Sequence, residues 1–191
     1  LLAIDLRFGV DDTMGADQYL TDGAVQTGFA HIDASELEGT APGGVSVIGS
    51  SLVNKITGSD LEDFFIYFAP AHLGADVLNG GDGNDTLRFS SVVAGQTLLI
   101  GAKVSNLELA EITDPAGLVT GTTALNINAS LATGALHLRG NDGNDTLTGG
   151  TEGDTLQGNL GADTLTGGLG DDTYLYEKQT DFVLGERITD T

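Results

Sequence analysis

An aspartate recurs at every ninth residue near the C-terminus: Asp145, Asp154, Asp163 and Asp172. Two residues after each stands an apolar side chain, Leu147, Leu156, Leu165 and Tyr174. Glycines crowd the positions before each aspartate. Residues 140–148 read GNDGNDTLT, 149–157 GGTEGDTLQ, 158–166 GNLGADTLT and 167–175 GGLGDDTYL. A shorter run lies earlier. Residues 80–88 read GGDGNDTLR with Asp85, and residues 71–79 read AHLGADVLN with Asp76 but no leading glycine pair. Further back the pattern fades: residues 58–66, GSDLEDFFI, keep Gly58, Asp63 and Phe65, and residues 49–57, GSSLVNKIT, keep Gly49, Ile56 and the length. The chemistry on offer is that of hard oxygen ligands. Aspartate supplies a short anionic donor. Glycine lets the chain bend sharply, enter φ > 0 and bring main-chain carbonyls to one point. The chain has no cysteine, which excludes thiolate ligands, cysteine nucleophiles and disulfide staples.

The spacing also says what must position these residues. Six residues of turn and three of strand cannot fold alone, so such units stack into a solenoid. A lone Asp-Gly reads as an ordinary turn, in which the side chain bonds nearby amides. Four in tandem do not. Stacking places like charges a strand spacing apart, about 4.8 Å, where two of them repel by roughly 3 kcal/mol at an effective dielectric near 20. A divalent cation between the turns makes the same geometry attractive. Calcium takes six to eight oxygens at roughly 2.3–2.6 Å and tolerates irregular geometry, a demand that two stacked turns meet together.

The units resemble the repeats-in-toxin (RTX), or hemolysin-type, calcium-binding repeats, with consensus G-G-x-G-x-D-x-U-x. The strong match covers residues 71–88 and 140–175. The resemblance implies an all-β, right-handed parallel β-solenoid, the β-roll, with two nonapeptides per coil and turns alternating between opposite sides. Ions are then shared by every second unit: Asp145 with Asp163, Asp154 with Asp172, and Asp63 with Asp85. Asp76 has no obvious later partner, since residues 89–97 carry no acid. Glu152 and Gly153 depart from the usual order of their unit. The metal-ligand set expected is Asp63, Asp76, Asp85, Asp145, Asp154, Asp163 and Asp172, with calcium as the cofactor. The resemblance further implies a type I-secreted protein, extracellular or on the surface of a Gram-negative bacterium.

Outside the arrays the nonapeptide is absent but alternation persists, in Leu107-Glu108-Leu109, Leu125-Asn126-Ile127, Leu136-His137-Leu138, Val45-Ser46-Val47 and Leu2 to Leu6. Alternation predicts strands with one buried face. Pro42-Gly43-Gly44, Asp114-Pro115-Ala116-Gly117 and Thr120 to Thr123 supply turns between them. The expected layout is irregular solenoid coils over 1–70, the first array at 71–88, calcium-poor coils over 89–139, the second array at 140–176 and a C-terminal cap or tail over 177–191. A β-sandwich is the alternative for the N-terminal third. Residues 34–38, ASELE, fit one short helical turn. The run Phe64 to Phe68 is expected in the core. Residues 180–190 resemble the segment that follows such arrays in secreted proteases, with the order of elements partly scrambled.

Charge and motifs narrow the function. Seven Lys and Arg face 28 Asp and Glu, a net charge of −21, which disfavours nucleic acid and anionic membranes. No apolar run is long enough to span a bilayer. No signal peptide is visible, and a chain starting without methionine reads as a fragment or processed product. Residues 44–49, GVSVIG, miss the spacing of a nucleophile elbow. No H-E-x-x-H occurs, and His31, His72 and His137 lie far apart, with His31 and His137 at outward strand positions. Asp11, Asp12, Asp17 and Asp22 read as a solvated acidic loop. The expectation is a non-catalytic, calcium-binding structural or adhesive segment of a surface layer, filament or adhesin. It binds calcium and either self-associates into an ordered assembly or contacts cell-surface glycans. The rival is an accessory secretion and folding module of a larger exoenzyme.

Overall fold

The computed structural model describes residues 2–13, 26–35, 44–49, 53–69, 73, 75–177, 181 and 183–190. His72, Asp17, Asp22 and most of the expected helical turn at 34–38 lie outside the described residues.

The units become strands as their alternation requires. The second array gives β13 (Thr146–Thr148), β14 (Thr155–Gln157), β15 (Thr164–Thr166) and β16 (Thr173–Tyr174). Before it run β10 (Leu109–Thr113), β11 (Asn126–Asn128) and β12 (His137–Arg139), and after it β17 (Arg187–Thr189). The first array gives β6 (Val77–Asn79) and β7 (Thr86–Ser90), followed by β8 (Thr97–Leu99) and β9 (Val104–Ser105). The N-terminal part holds β1 (Leu2–Thr13), β2 (Gln26–Asp33), β3 (Val45–Ile48), β4 (Lys55–Thr57) and β5 (Phe64–Tyr67). Asp11 and Asp12, read as loop, fall within β1.

Every described strand pair is parallel and joins one coil to the next. One face runs β1-β3-β5-β7-β10-β12-β14-β16. β1 also pairs with β2 and so carries the same sheet on through β2-β4-β6-β9, while β8-β11-β13-β15-β17 form a second sheet. The changeover falls in the coil after β7, whose β8 pairs forward with β11 and whose β9 pairs back with β6. This is the parallel β-solenoid that the nine-residue period predicts, and it continues through the N-terminal third in place of a sandwich.

Register puts the eighth residue of each unit inside. Leu147 lies on Leu165 and Ile127, and Leu138 on Leu156. Leu138, Leu147, Leu156 and Leu165 are all completely buried in one core cluster. Burying each such side chain stabilises the stack by about 1.5–3 kcal/mol. The aromatic run divides by alternation: Phe65 and Tyr67 point into the core, while Phe64 and Ile66 face outward and are half-covered. Phe64 there carries the Arg88 guanidinium 4.4 Å over its ring. Of the alternation expected in Leu107-Glu108-Leu109, Leu107 is buried and Glu108 exposed, but Leu109 stands at an outward position because β10 turns Ala110 and Ile112 inward. Among the described residues no helix is long and apolar enough to cross a membrane.

Candidate metal sites in the stacked turns

The turn before each strand ends on its aspartate, and that side chain folds back into the stack. Its Oδ1 accepts the backbone N–H of the corresponding residue one coil earlier. Val45 donates to Asp63 (2.6 Å), Asp63 to Asp85 (2.9 Å), Leu125 to Asp145 (2.8 Å), Asp145 to Asp163 (2.8 Å), Leu136 to Asp154 (2.7 Å) and Asp154 to Asp172 (2.8 Å). The three aspartate pairs expected to share ions are therefore adjacent layers of one ladder. Asp63, Asp85, Asp145, Asp154 and Asp163 are all at most 1% exposed.

The second carboxylate oxygen separates the turns into two kinds. In the earlier member of each pair, Oδ2 accepts the N–H of the residue four positions before: Ser59 to Asp63 (2.7 Å), Asn141 to Asp145 (2.7 Å) and Gly150 to Asp154 (2.5 Å). In the later member, Asp85, Asp163 and Asp172, Oδ2 is buried and has no hydrogen-bond partner. The backbone differs to match. The residues four before these three, Gly81, Asn159 and Gly168, all have positive φ (108°, 67° and 104°). So do Gly83, Gly161 and Gly170 two positions on. Along each stack, bonded turns thus precede open turns.

Glycine is required because the layers touch through their main chains. A Cβ on Gly161 lies 2.0 Å from Gly143 O, one on Gly168 lies 2.3 Å from Gly150 O, and one on Gly81 lies 2.1 Å from Ser59 O. The carbonyls of each bonded turn therefore press against the open turn above it. Carboxylate and carbonyl oxygens converge, as a hard cation requires. Among the described residues no three acidic or histidine side chains gather at one point, so carbonyls must supply much of any ligand set.

These carboxylates are held against their ordinary ionisation. Burial pushes Asp85 and Asp163 up to about 7 and Asp145 up to about 6. At Asp163 the charges of Asp145 and Glu186 add to the rise. Asp63 and Asp172 also rise, chiefly through burial. Uncompensated buried charge is the physical cause in every case.

A sequence model of the RTX calcium-binding nonapeptide repeat matches residues 71–90 and 138–175, in four copies. The chain carries RTX-type calcium-binding repeats over these residues. No curated protein and no solved structure matches it. The RTX repeats imply calcium, and the residues fit that ion by two observations: three buried carboxylate oxygens without partners, and a glycine cradle that any Cβ would fill.

Asp76 stands apart from the other RTX aspartates. Its Oδ1 accepts the Asn54 N–H at 2.8 Å and its Oδ2 accepts the Tyr67 hydroxyl at 2.9 Å. Both oxygens are engaged by the protein, so in this structure Asp76 pins β5 to the turn before β6. His137 keeps its outward place on β12 but is half-buried there. Sequence reasoning missed Glu108 and Glu186. Each stands two residues before an inward-register position, Ala110 and Ile188, as the repeat aspartates do. That E-x-U pattern was the available signal, obscured by a spacing of 23 residues instead of nine or eighteen.

Proposed function

We propose that this chain is a calcium-rigidified structural or adhesive segment of a secreted bacterial surface protein, in a surface layer, filament or adhesin. It has no catalytic role and folds when it meets extracellular calcium. The observation that carries this reading is the stacking of Asp63 with Asp85, Asp145 with Asp163 and Asp154 with Asp172, each pair ending on a buried oxygen without a partner.

Asp85, Asp163 and Asp172 would hold the ions, with carbonyls of the preceding turns such as Ser59, Gly143 and Gly150 beside them. The bound cation supplies the positive charge that these layers lack. The residues themselves do the rest. Leucines fill the core, the glycines allow close layers, and the carboxylates accept the amides of the coil below. Because the ion binds only the stacked form, folding and binding are one equilibrium. Extracellular calcium modules work at roughly 10⁻⁴–10⁻³ M, far above cytosolic calcium, which suits export of an unfolded chain.

A far-UV circular-dichroism titration tests the folding claim. Expected is little β structure in chelator and a cooperative gain near millimolar calcium. Full β structure in chelator would sink it. Electron microscopy with and without chelator tests assembly: ordered, calcium-dependent arrays are expected. Monodisperse single particles in both conditions, together with a catalytic domain in the native gene product, would reassign the solenoid to the accessory-module role.

A further inference from the structure

The amide-to-carboxylate ladder does not stop where the repeats stop. Asp63 donates its N–H to Asp85, and Asp85 in turn donates its own to Glu108 Oε2 at 2.7 Å. In the second array Asp145 donates to Asp163, and the chain one coil on is tied to Asp163 by the Arg187 N–H on its carbonyl, with Glu186 as the residue next to that bond. Both stacks therefore read bonded aspartate, open aspartate, glutamate. The glutamates lie outside the residues that match the RTX repeat.

We propose that Glu108 and Glu186 each complete an additional divalent-cation site with the open aspartate beneath them, Asp85 and Asp163, so that the chain after each array docks through a cation. This rests on the calcium reading of the repeat turns. Four observations carry it. Asp85 and Asp163 are fully buried, and Oδ2 of each lacks a partner although Oδ1 is bonded. Glu186 Oε2 is also buried and unpartnered, so two such oxygens occur on carboxylates in successive layers. The Tyr176 hydroxyl donates to Glu186 Oε1 at 3.0 Å and fixes the side chain, while the Arg187 N–H bonds Asp163 O at 2.8 Å and fixes the backbone. At the first stack, Asn106 has φ 51° and turns its carbonyl onto Gly80, where a Cβ would lie 1.8 Å from Asn106 O and 2.3 Å from Asp85 Oδ2. Two oxygens from different layers thus crowd one point. Anionic and carbonyl oxygens that outnumber the donors beside them suit calcium, and the buried carboxylates of Asp85 and Asp163 need a counter-charge.

The test uses the full chain and calcium itself. Glu108→Gln keeps an acceptor for the Asp85 N–H, Glu186→Gln keeps one for the Tyr176 hydroxyl, and each removes only the charge. Calorimetry is expected to show one fewer bound calcium in each variant and two fewer in the double variant. Hydrogen exchange is expected to show loss of calcium-dependent protection at Arg187–Thr189 in Glu186→Gln, with protection at Thr146–Thr148 kept. Where Glu186→Gln fails to fold, Glu186→Asp, which keeps the charge, is expected to keep the full stoichiometry at reduced affinity. Wild-type protein that binds calcium, with variants unchanged in stoichiometry and protection, overturns the proposal and leaves the repeat sites standing. Wild-type protein that binds no calcium overturns both.

Discussion

The backbone N–H of Asp145 is bonded to Oδ1 of Asp163, 2.8 Å away and eighteen residues later in the chain. One carboxylate thus plays two parts: it accepts an amide from the coil below, and it carries a charge that the fold alone leaves uncompensated. Substitution separates the two. Asp163→Asn keeps the acceptor and removes the charge, so in chelator it should be at least as stable as wild type. In saturating calcium it should show a smaller rise in melting temperature. Asp163→Ala leaves the buried Asp145 amide without its acceptor and should cost about 1–3 kcal/mol even in chelator. Thermal and urea melts of the three proteins, with and without calcium, check the ordering.

Acidity should act in a direction unusual for carboxylates. Burial lifts Asp85 and Asp163 to about 7 and Asp145 to about 6, against an ordinary 3.8. Between about pH 4 and 7 the metal-free folded state therefore holds protons that the unfolded chain has released. Its stability is full below pH 4, falls as pH rises through 6 and 7, and stays low above. Calcium must displace those protons. Chelator-treated protein should melt higher at pH 5 than at pH 8, and calcium binding should release protons at pH 6 but scarcely any at pH 8. Melts at the two pH values, with calorimetry in buffers of different ionisation enthalpy, measure both. A metal-free stability that rises from pH 5 to pH 8 refutes the assignment of these charges.

Much of this was legible in the residues themselves. Period nine marked Asp145, Asp154, Asp163 and Asp172, and the resemblance to the RTX repeats, which implies two nonapeptides per coil, gave them their stacking partners. Alternation gave Leu125, Ile127 and Leu138 their inward places. What the sequence hid has physical causes. The coil between β7 and β10 contributes strands to two separate stacks, which no local pattern announces. Glu108 and Glu186 follow Asp85 and Asp163 through coils of 23 residues, so no fixed period finds them. Asp76 matches the motif, yet the Tyr67 hydroxyl nine residues earlier fills its second oxygen, a contact set by packing alone. The difference between bonded and open turns rests on φ at single residues such as Asn159, where the sequence gives only the permissive residue type.

The glycines of the turns should be separable into those needed for space and those needed for backbone conformation. Gly161 needs both, with φ 121° and a Cβ position 2.0 Å from Gly143 O. Gly95 needs only the conformation, since φ is 76° and nothing lies within 4 Å. Gly134 needs neither. Gly95→Ala should therefore cost about 1 kcal/mol from strain alone, near the low end of such penalties. Gly161→Ala should exceed it and also abolish calcium binding at that turn, because the layers must part. Gly134→Ala should be neutral or slightly stabilising through the unfolded state. Urea denaturation in calcium ranks the three.

The calcium-poor coils must hold their layers by other means, and Glu111 shows how. Register places it between Arg88 on β7 and Arg139 on β12, and its carboxylate is paired with both guanidinium groups. Glu111 is 1% exposed, whereas the arginines are about one third exposed at their side chains. A cation-anion-cation ladder thus joins three successive coils on one face, with side chains taking the role proposed for ions elsewhere. Arg88 also lies over Phe64 one coil earlier, extending the ladder to a fourth strand. Removing the central charge leaves two arginines that repel across the gap, and water screens them only in part. Glu111→Gln should cost about 1–3 kcal/mol, below the 3–5 typical of a fully buried pair because the arginines reach solvent. The loss should be the same with and without calcium, since no repeat turn takes part. Urea melts under both conditions decide it: a loss that appears only in chelator means that this coil, too, draws its cohesion from bound ions.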